Sequence, residues 1–235
     1  MQIKKNSKIV NLIKFNYRLI YFSFFEFLRT FSFFYLRKPI LLIIDFIINI
    51  RFFFVNPHKE LFFNSKAKLR NFNSLYGETP YSAWNKICQE SEISSEDIIY
   101  DLGCGLGKIC FWTYLFIKCQ KIIGIDRSES FISFANKLKK YLFFKENLIF
   151  LNEDFLESDF SNATVIYIYG SAFSLSMIKK LIENLLQKAS LGAKIITVSY
   201  SLLDFKEAQH FFTLVKKFSC KFSWGYAFVY VHCKK

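Results

Sequence analysis

The 235-residue chain has room for one sizeable α/β domain plus an appendage; 52% of it is hydrophobic and 20% aromatic, with Phe alone contributing 31 residues. Its net charge of +13 is unevenly spread, because residues 1–72 carry 13 Lys/Arg against 3 Asp/Glu while residues 73–235 account for only +3. The basic character thus belongs to an N-terminal segment that pairs charge with Phe and Ile, which suits an anionic membrane surface and argues against a nucleic-acid groove. The six cysteines form no CxxC pair and no Cys/His metal spacing, so no metal site is expected, and a reduced, cytoplasmic setting is.

Two strongly apolar helices open the chain. From Lys14 to Arg37 the polar residues Lys14, Arg18, Glu26, Arg29/Thr30 and Arg37 fall on one narrow stripe at helical spacing. After Pro39, the stretch Ile40–Val55 is interrupted by Asp45, Asn49 and Arg51, and Asn56-Pro57 ends it. Neither helix offers the ~20 nearly uncharged residues of a membrane span, and no signal-peptide cleavage site follows. Three readings stand: helices packed on the core as a lid or oligomer interface, interfacial or re-entrant attachment of residues 1–55 to a membrane at its inner face, or a true span. Residues 1–72 form this leader and residues 73–235 the second domain.

From Ser74 onward strand and helix signals alternate. Strands are expected at Asp97–Leu102, Lys121–Asp126, Asn147–Asn152, Thr164–Tyr169 and Ala193–Ser199. Helices are expected at Lys108–Lys118, Ser128–Tyr141 (opened by a Ser cap) and Ser174–Ala189. Phe211–Cys233 reads as an antiparallel pair turning near Ser223–Gly225. Strands separated by single helices predict a doubly wound, Rossmann-like α/β sheet of seven strands, with the C-terminal hairpin at one end.

The first strand runs into Asp101-Leu-Gly103-Cys-Gly105-Leu-Gly107, a glycine loop opening a helix. Glycines let the backbone turn tightly and let a ligand lie against it. A dinucleotide fingerprint starting at Gly103 would need glycine at position 108, where the chain has Lys108. An acid two residues before the first glycine suits a cationic amino-acid moiety better than a pyrophosphate. Asp126, closing the second strand, can accept both ribose hydroxyls, and Asp154, after the third, can accept an adenine amino group with Phe155 stacking on the base. Acids at the ends of three successive strands therefore predict an S-adenosyl-L-methionine pocket.

Tyr76-Gly-Glu-Thr-Pro80, followed after a helix by Glu96-Asp-Ile-Ile-Tyr-Asp-Leu-Gly-Cys-Gly-Leu-Gly107, resembles the disruptor-of-telomeric-silencing type of non-SET histone-lysine methyltransferases. The likeness continues through Glu153–Leu156, Asn162–Ile168, Ala172-Phe173 and Gly192–Ile196. In layout, with its apolar leader and small core, the chain is also similar to the membrane-anchored mitochondrial lysine methyltransferases. The resemblance implies a class I methyltransferase acting on protein lysine, in which Tyr76, Glu78 and Thr79 belong to a loop closing over the methionine end of the cofactor. Two positions depart from the histone enzymes: Lys108 replaces a Gln, and Tyr169-Gly170 replaces paired Asn residues near the lysine channel. Tyr169, Phe173 and Tyr200 are the candidates for a channel wall around the acceptor, and ordinary core packing is an equal reading of them. A small-molecule or lipid-soluble acceptor and a non-catalytic cofactor-binding scaffold are the alternatives.

Overall fold

The structure, a computed structural model, describes residues 21–54, 77–170 and 173–235. The boundary expected near residue 72 and the candidate Tyr76 lie outside them. Five parallel strands, β1 (Ile98–Leu102), β2 (Lys121–Asp126), β3 (Leu148–Asn152), β4 (Val165–Ile168) and β5 (Lys194–Val198), are completed by the antiparallel pair β6 (Phe212–Phe222) and β7 (Gly225–Lys234). The sheet order is β3-β2-β1-β4-β5-β7-β6, so the seven-stranded, doubly wound expectation with a terminal hairpin is what forms.

The parallel strands are short, β-branched and buried on both faces, as strands covered by helices must be. Successive side chains alternate between two apolar layers. Ile99, Tyr167 and Ile196 join Trp84, Phe111 and Trp112 on one side, while Tyr100, Ile166 and Ile195 join Leu181, Leu185 and Phe212 on the other. Strand β1 lies between β2 and β4, so their connections leave to opposite sides and open a crevice at its carboxyl end.

Helices α3 (Tyr81–Glu90), α4 (Lys108–Phe116), α5 (Glu129–Tyr141) and α6 (Leu175–Lys188) cover this sheet. The serine expected to cap α5 does so, Ser128 Oγ accepting the Phe131 N–H, and Ser174 does the same for Met177 at α6.

Two further helices precede the sheet. Residues 21–30 form α1, which widens into a π-helical turn at Phe31–Tyr35 and ends before α2 (Pro39–Phe54). Phe34, Tyr35, Leu41, Ile44 and Ile48 are buried in the same layer as Trp84 and Trp112, with the Phe34 and Trp112 ring centroids 5.5 Å apart. The expected polar stripe does not face outward as a unit. Thr30 and Asp45 are buried, and Glu26 turns inward to accept the backbone N–H and hydroxyl of Ser82. The donors they meet on the domain side offset part of the cost of taking these carboxylates out of water. Phe24, Phe27, Phe33, Phe46, Phe53 and Phe54 are instead exposed. Among the described residues no helix is long and apolar enough to cross a membrane.

Candidate active site

A cavity of about 300 Å³ opens at the carboxyl ends of β1, β2 and β4, bounded by the glycine loop, the segment before α3 and the β6–β7 turn. Asp101, Gly103, Gly105, Asp126, Asp154, Phe155, Glu78, Thr79, Tyr169 and Phe173 all line it. The structure thus brings together most of the residues singled out from sequence, drawn from separate strand ends and loops. Gly107 and Tyr200 are not in its wall.

The three loop glycines differ in purpose. Gly103 has φ +86° and nothing within 4 Å of where a Cβ would lie, leaving open floor for a ligand. Gly107 has φ +78°, and a Cβ there would lie 2.4 Å from the Phe150 ring. It therefore serves the close packing of α4 onto the sheet rather than the cavity.

Asp101 is 5% exposed and accepts a 3.4 Å hydrogen bond from the Cys110 thiol. Burial, only partly offset by that bond, pushes its carboxyl up to about 7. Among the described residues it forms no ion pair. Asp126 accepts from the Gly105 N–H at 2.9 Å and the Ser128 N–H at 2.8 Å. Burial raises its carboxyl, and those two N–H bonds oppose the rise. Asp154 is exposed and accepts the Leu156 N–H at 3.0 Å, closing a local turn beside the cavity. Phe155 stacks on Phe173 with centroids 5.6 Å apart.

On the opposite wall, Thr79 Oγ1 lies 2.7 Å from the hydroxyl of Tyr167, whose ionisation burial pushes well above the usual tyrosine range. The Lys108 ammonium donates to Glu78 at 2.9 Å. Burial works against that ammonium, but Glu78 and then Asp45 outweigh it and raise its pKa above the usual lysine value. At the mouth, Trp224 Nε1 donates to the Tyr169 hydroxyl at 2.6 Å, and Phe222 stacks on both rings at 5.3 and 5.7 Å. The Tyr200 hydroxyl is buried and has no hydrogen-bond partner among the described residues, and a Cβ at Gly170 would lie 3.1 Å from it.

In the sequence Lys108 stands out as the residue that excludes a dinucleotide and as a departure from the histone enzymes, whereas Tyr167 and Trp224 do not stand out as site residues. The signal for Trp224 was present: a large aromatic beside the glycine of a hairpin turn, where no core calls for it. Tyr167, in a short apolar strand, carried no such signal.

S-adenosylmethionine suits this cavity on three counts. A buried carboxyl with no ion pair among the described residues adjoins the glycine loop, an open floor adjoins Gly103, and further carboxylates stand at the ends of the neighbouring strands. In its fold the chain is similar to an RNA methyltransferase from Salinibacter ruber in complex with S-adenosyl-L-homocysteine, with a TM-score of 0.56 and 21% identity over 67% of this chain and 94% of that one. The fold is that of the class I S-adenosylmethionine-dependent methyltransferases.

The family model described as Histone methylation protein DOT1 matches residues 63–219, and the chain belongs to that family. It is 31% identical over 144 residues to a nematode relative, the "Histone-lysine N-methyltransferase, H3 lysine-79 specific" of Caenorhabditis elegans. That match takes in 54% of this chain but only 15% of the relative. It is 25% identical over 129 residues to a "Protein-lysine N-methyltransferase" of Saccharolobus islandicus, covering 54% of this chain and 77% of that protein.

Proposed function

We propose that this protein transfers a methyl group from S-adenosylmethionine to the side-chain amine of a lysine in a protein substrate. The observation that carries the reading is an aromatic mouth on the cavity of a family member: Tyr169, Phe173 and Trp224 line the same space as the strand-end acids. When bound, the cofactor supplies an electrophilic methyl group on a sulfonium.

The chain's own residues would do the rest by placement. Asp101 holds the ammonium of the amino-acid end, Asp126 the ribose hydroxyls, and Asp154 with Phe155 the adenine. Glu78 and Thr79 close the methionine end. Tyr169, Phe173 and Trp224 form an aromatic passage that packs on the lysine's methylenes, and its apolar inner surface disfavours the charged amine, easing loss of the proton that would block attack. Tyr200 stands behind that wall at Gly170, where Phe173 also closes in. Holding amine, methyl carbon and sulfur in line supplies much of the rate, up to roughly 7–11 kcal/mol in ideal cases.

Incubation of the protein with tritiated S-adenosylmethionine and source-cell lysate tests this. Label in protein, mapped to lysine by mass spectrometry, is the expected result. Label confined to the organic extract would assign a small-molecule or lipid acceptor, and no transfer despite cofactor binding would leave a binding scaffold.

The reading includes work on the cytoplasmic side, peripherally at the inner face of a membrane. Both acids of residues 21–54, Glu26 and Asp45, turn inward, while Arg29 and Arg37 stay exposed among the outward phenylalanines. An apolar surface ringed by positive charge matches an anionic bilayer. Flotation with phosphatidylcholine vesicles, with and without phosphatidylglycerol, checks it. Binding that requires the anionic lipid and is lost in Phe46→Glu/Phe53→Glu is expected; full-length protein that never floats would refute it.

A further inference from the structure

Residues 21–54 contain two acids, and both act on one short stretch of the cavity wall. Glu26 of α1 accepts the Ser82 backbone N–H at 3.0 Å and the Ser82 hydroxyl at 2.6 Å, at the start of α3. Asp45 of α2 accepts the Tyr81 hydroxyl at 2.8 Å and the Tyr35 hydroxyl, and lies 3.7 Å from the Lys108 ammonium. That ammonium sits 5.0 Å from the centre of the Tyr81 ring and donates to Glu78, which lines the cavity two residues before Pro80 begins to lead into α3. A chain of charges thus runs from the N-terminal helices, through Asp45 and Lys108, to the Glu78 carboxylate.

We infer that Asp45 is a positioning residue for the cofactor site: it fixes the Lys108 ammonium on the α2 side of the wall, so that Glu78 is held at the rim. The inference rests on the S-adenosylmethionine reading of the cavity and deepens it. Lys108 has two anionic neighbours, Asp45 and Glu78, and lines the same cavity as the acids Asp101 and Asp126. With Asp45 present, the ammonium is retained away from the acids meant for the ligand. Without that charge, it is free to lean into the cavity and compete with the ligand's own ammonium. The N-terminal helices are then part of the binding apparatus and not only its cover.

Calorimetric titration of the full chain with S-adenosylhomocysteine decides the matter. Asp45→Asn keeps the shape and removes the charge; its amide oxygen still accepts one tyrosine hydroxyl, and its N–H₂ can donate to the oxygen of the other. It is expected to weaken affinity about fivefold to tenfold, the effect of one partly buried charge pair. The same substitution in a Lys108→Gln background is expected to change affinity less than twofold, because the charge it acts through is gone. A role confined to folding would instead lower thermal stability in both backgrounds and leave no such dependence. If Asp45→Asn does not fold, Asp45→Ser, which also removes the charge and leaves a hydroxyl acceptor in its place, must show the same pattern. Equal affinity of the folded variant and wild type, or an equal loss in both backgrounds, overturns the inference. A wild-type protein that does not bind the probe would overturn the cavity reading itself.

Discussion

Asp101→Asn separates the stability of this fold from its purpose. A carboxyl that ionises near 3.8 in the unfolded chain and at about 7 in the fold makes ionisation expensive for the folded state, by about 4 kcal/mol once both states are charged. Below pH 3.8 the group is protonated in both states and costs nothing. As pH rises the unfolded chain ionises first, so stability falls, and the loss is complete above about pH 7. Asparagine carries no such cost and can still accept from Cys110, but it buries a new N–H₂ group at about 1–3 kcal/mol. The ligand-free variant should therefore be about 2 kcal/mol more stable than wild type at about pH 8, with the advantage shrinking as pH falls toward 4. Urea unfolding across that range measures this directly. Adding S-adenosylhomocysteine at about a hundredfold excess over its Kd should stabilise wild type by about 2.7 kcal/mol and leave the variant unmoved. A variant less stable than wild type at pH 8, or two pH profiles that run parallel, would refute the account of Asp101 as an acid waiting for a cation.

Gly107→Ala combines a left-handed backbone, about 1–2 kcal/mol, with a methyl driven into the Phe150 ring, about 1–3 kcal/mol more; denaturant melts should show a loss of about 2–5 kcal/mol. Trp224→Ala removes the hydrogen bond to Tyr169 and the stack on Phe222. Methyl transfer to protein is expected to fall tenfold or more, on the scale of about 1.4 kcal/mol per decade, while calorimetry finds cofactor-product affinity changed less than twofold. His232 takes the Leu202 N–H on Nε2 and is lowered to about 4 by burial. It stays neutral in the fold while the unfolded chain charges below about 6.5, so stability is full above that pH and falls by about 3 kcal/mol as pH drops to 4. His232→Gln should flatten this acid limb; because Asp101 tilts the curve the other way over the same range, the slopes must be read as differences between variant and wild type.

The sheet, its order of strands and helices and the cluster of strand-end acids were legible in residues 97–200, because each follows from local chemistry. Buried parallel strands require β-branched runs, a tight strand-to-helix turn requires glycine, and serine caps mark helix starts. Ligand position follows from these without long-range information, since open α/β sheets bind at their strand ends. What sequence could not supply was which neighbour each side chain would meet across the fold. Glu26 reads from sequence as part of a narrow polar stripe and Asp45 as an interruption of the second apolar segment, and neither shows its partner. They turn inward because Ser82, Tyr81 and Lys108, distant in the chain, bring donors to them. Lys108 likewise looked like a mere interruption of a glycine motif until Glu78 and Asp45 came within reach of it. Periodicity determines which residues share a face, but only packing determines whether that face looks at water, and a buried charge finds its partner through tertiary structure alone.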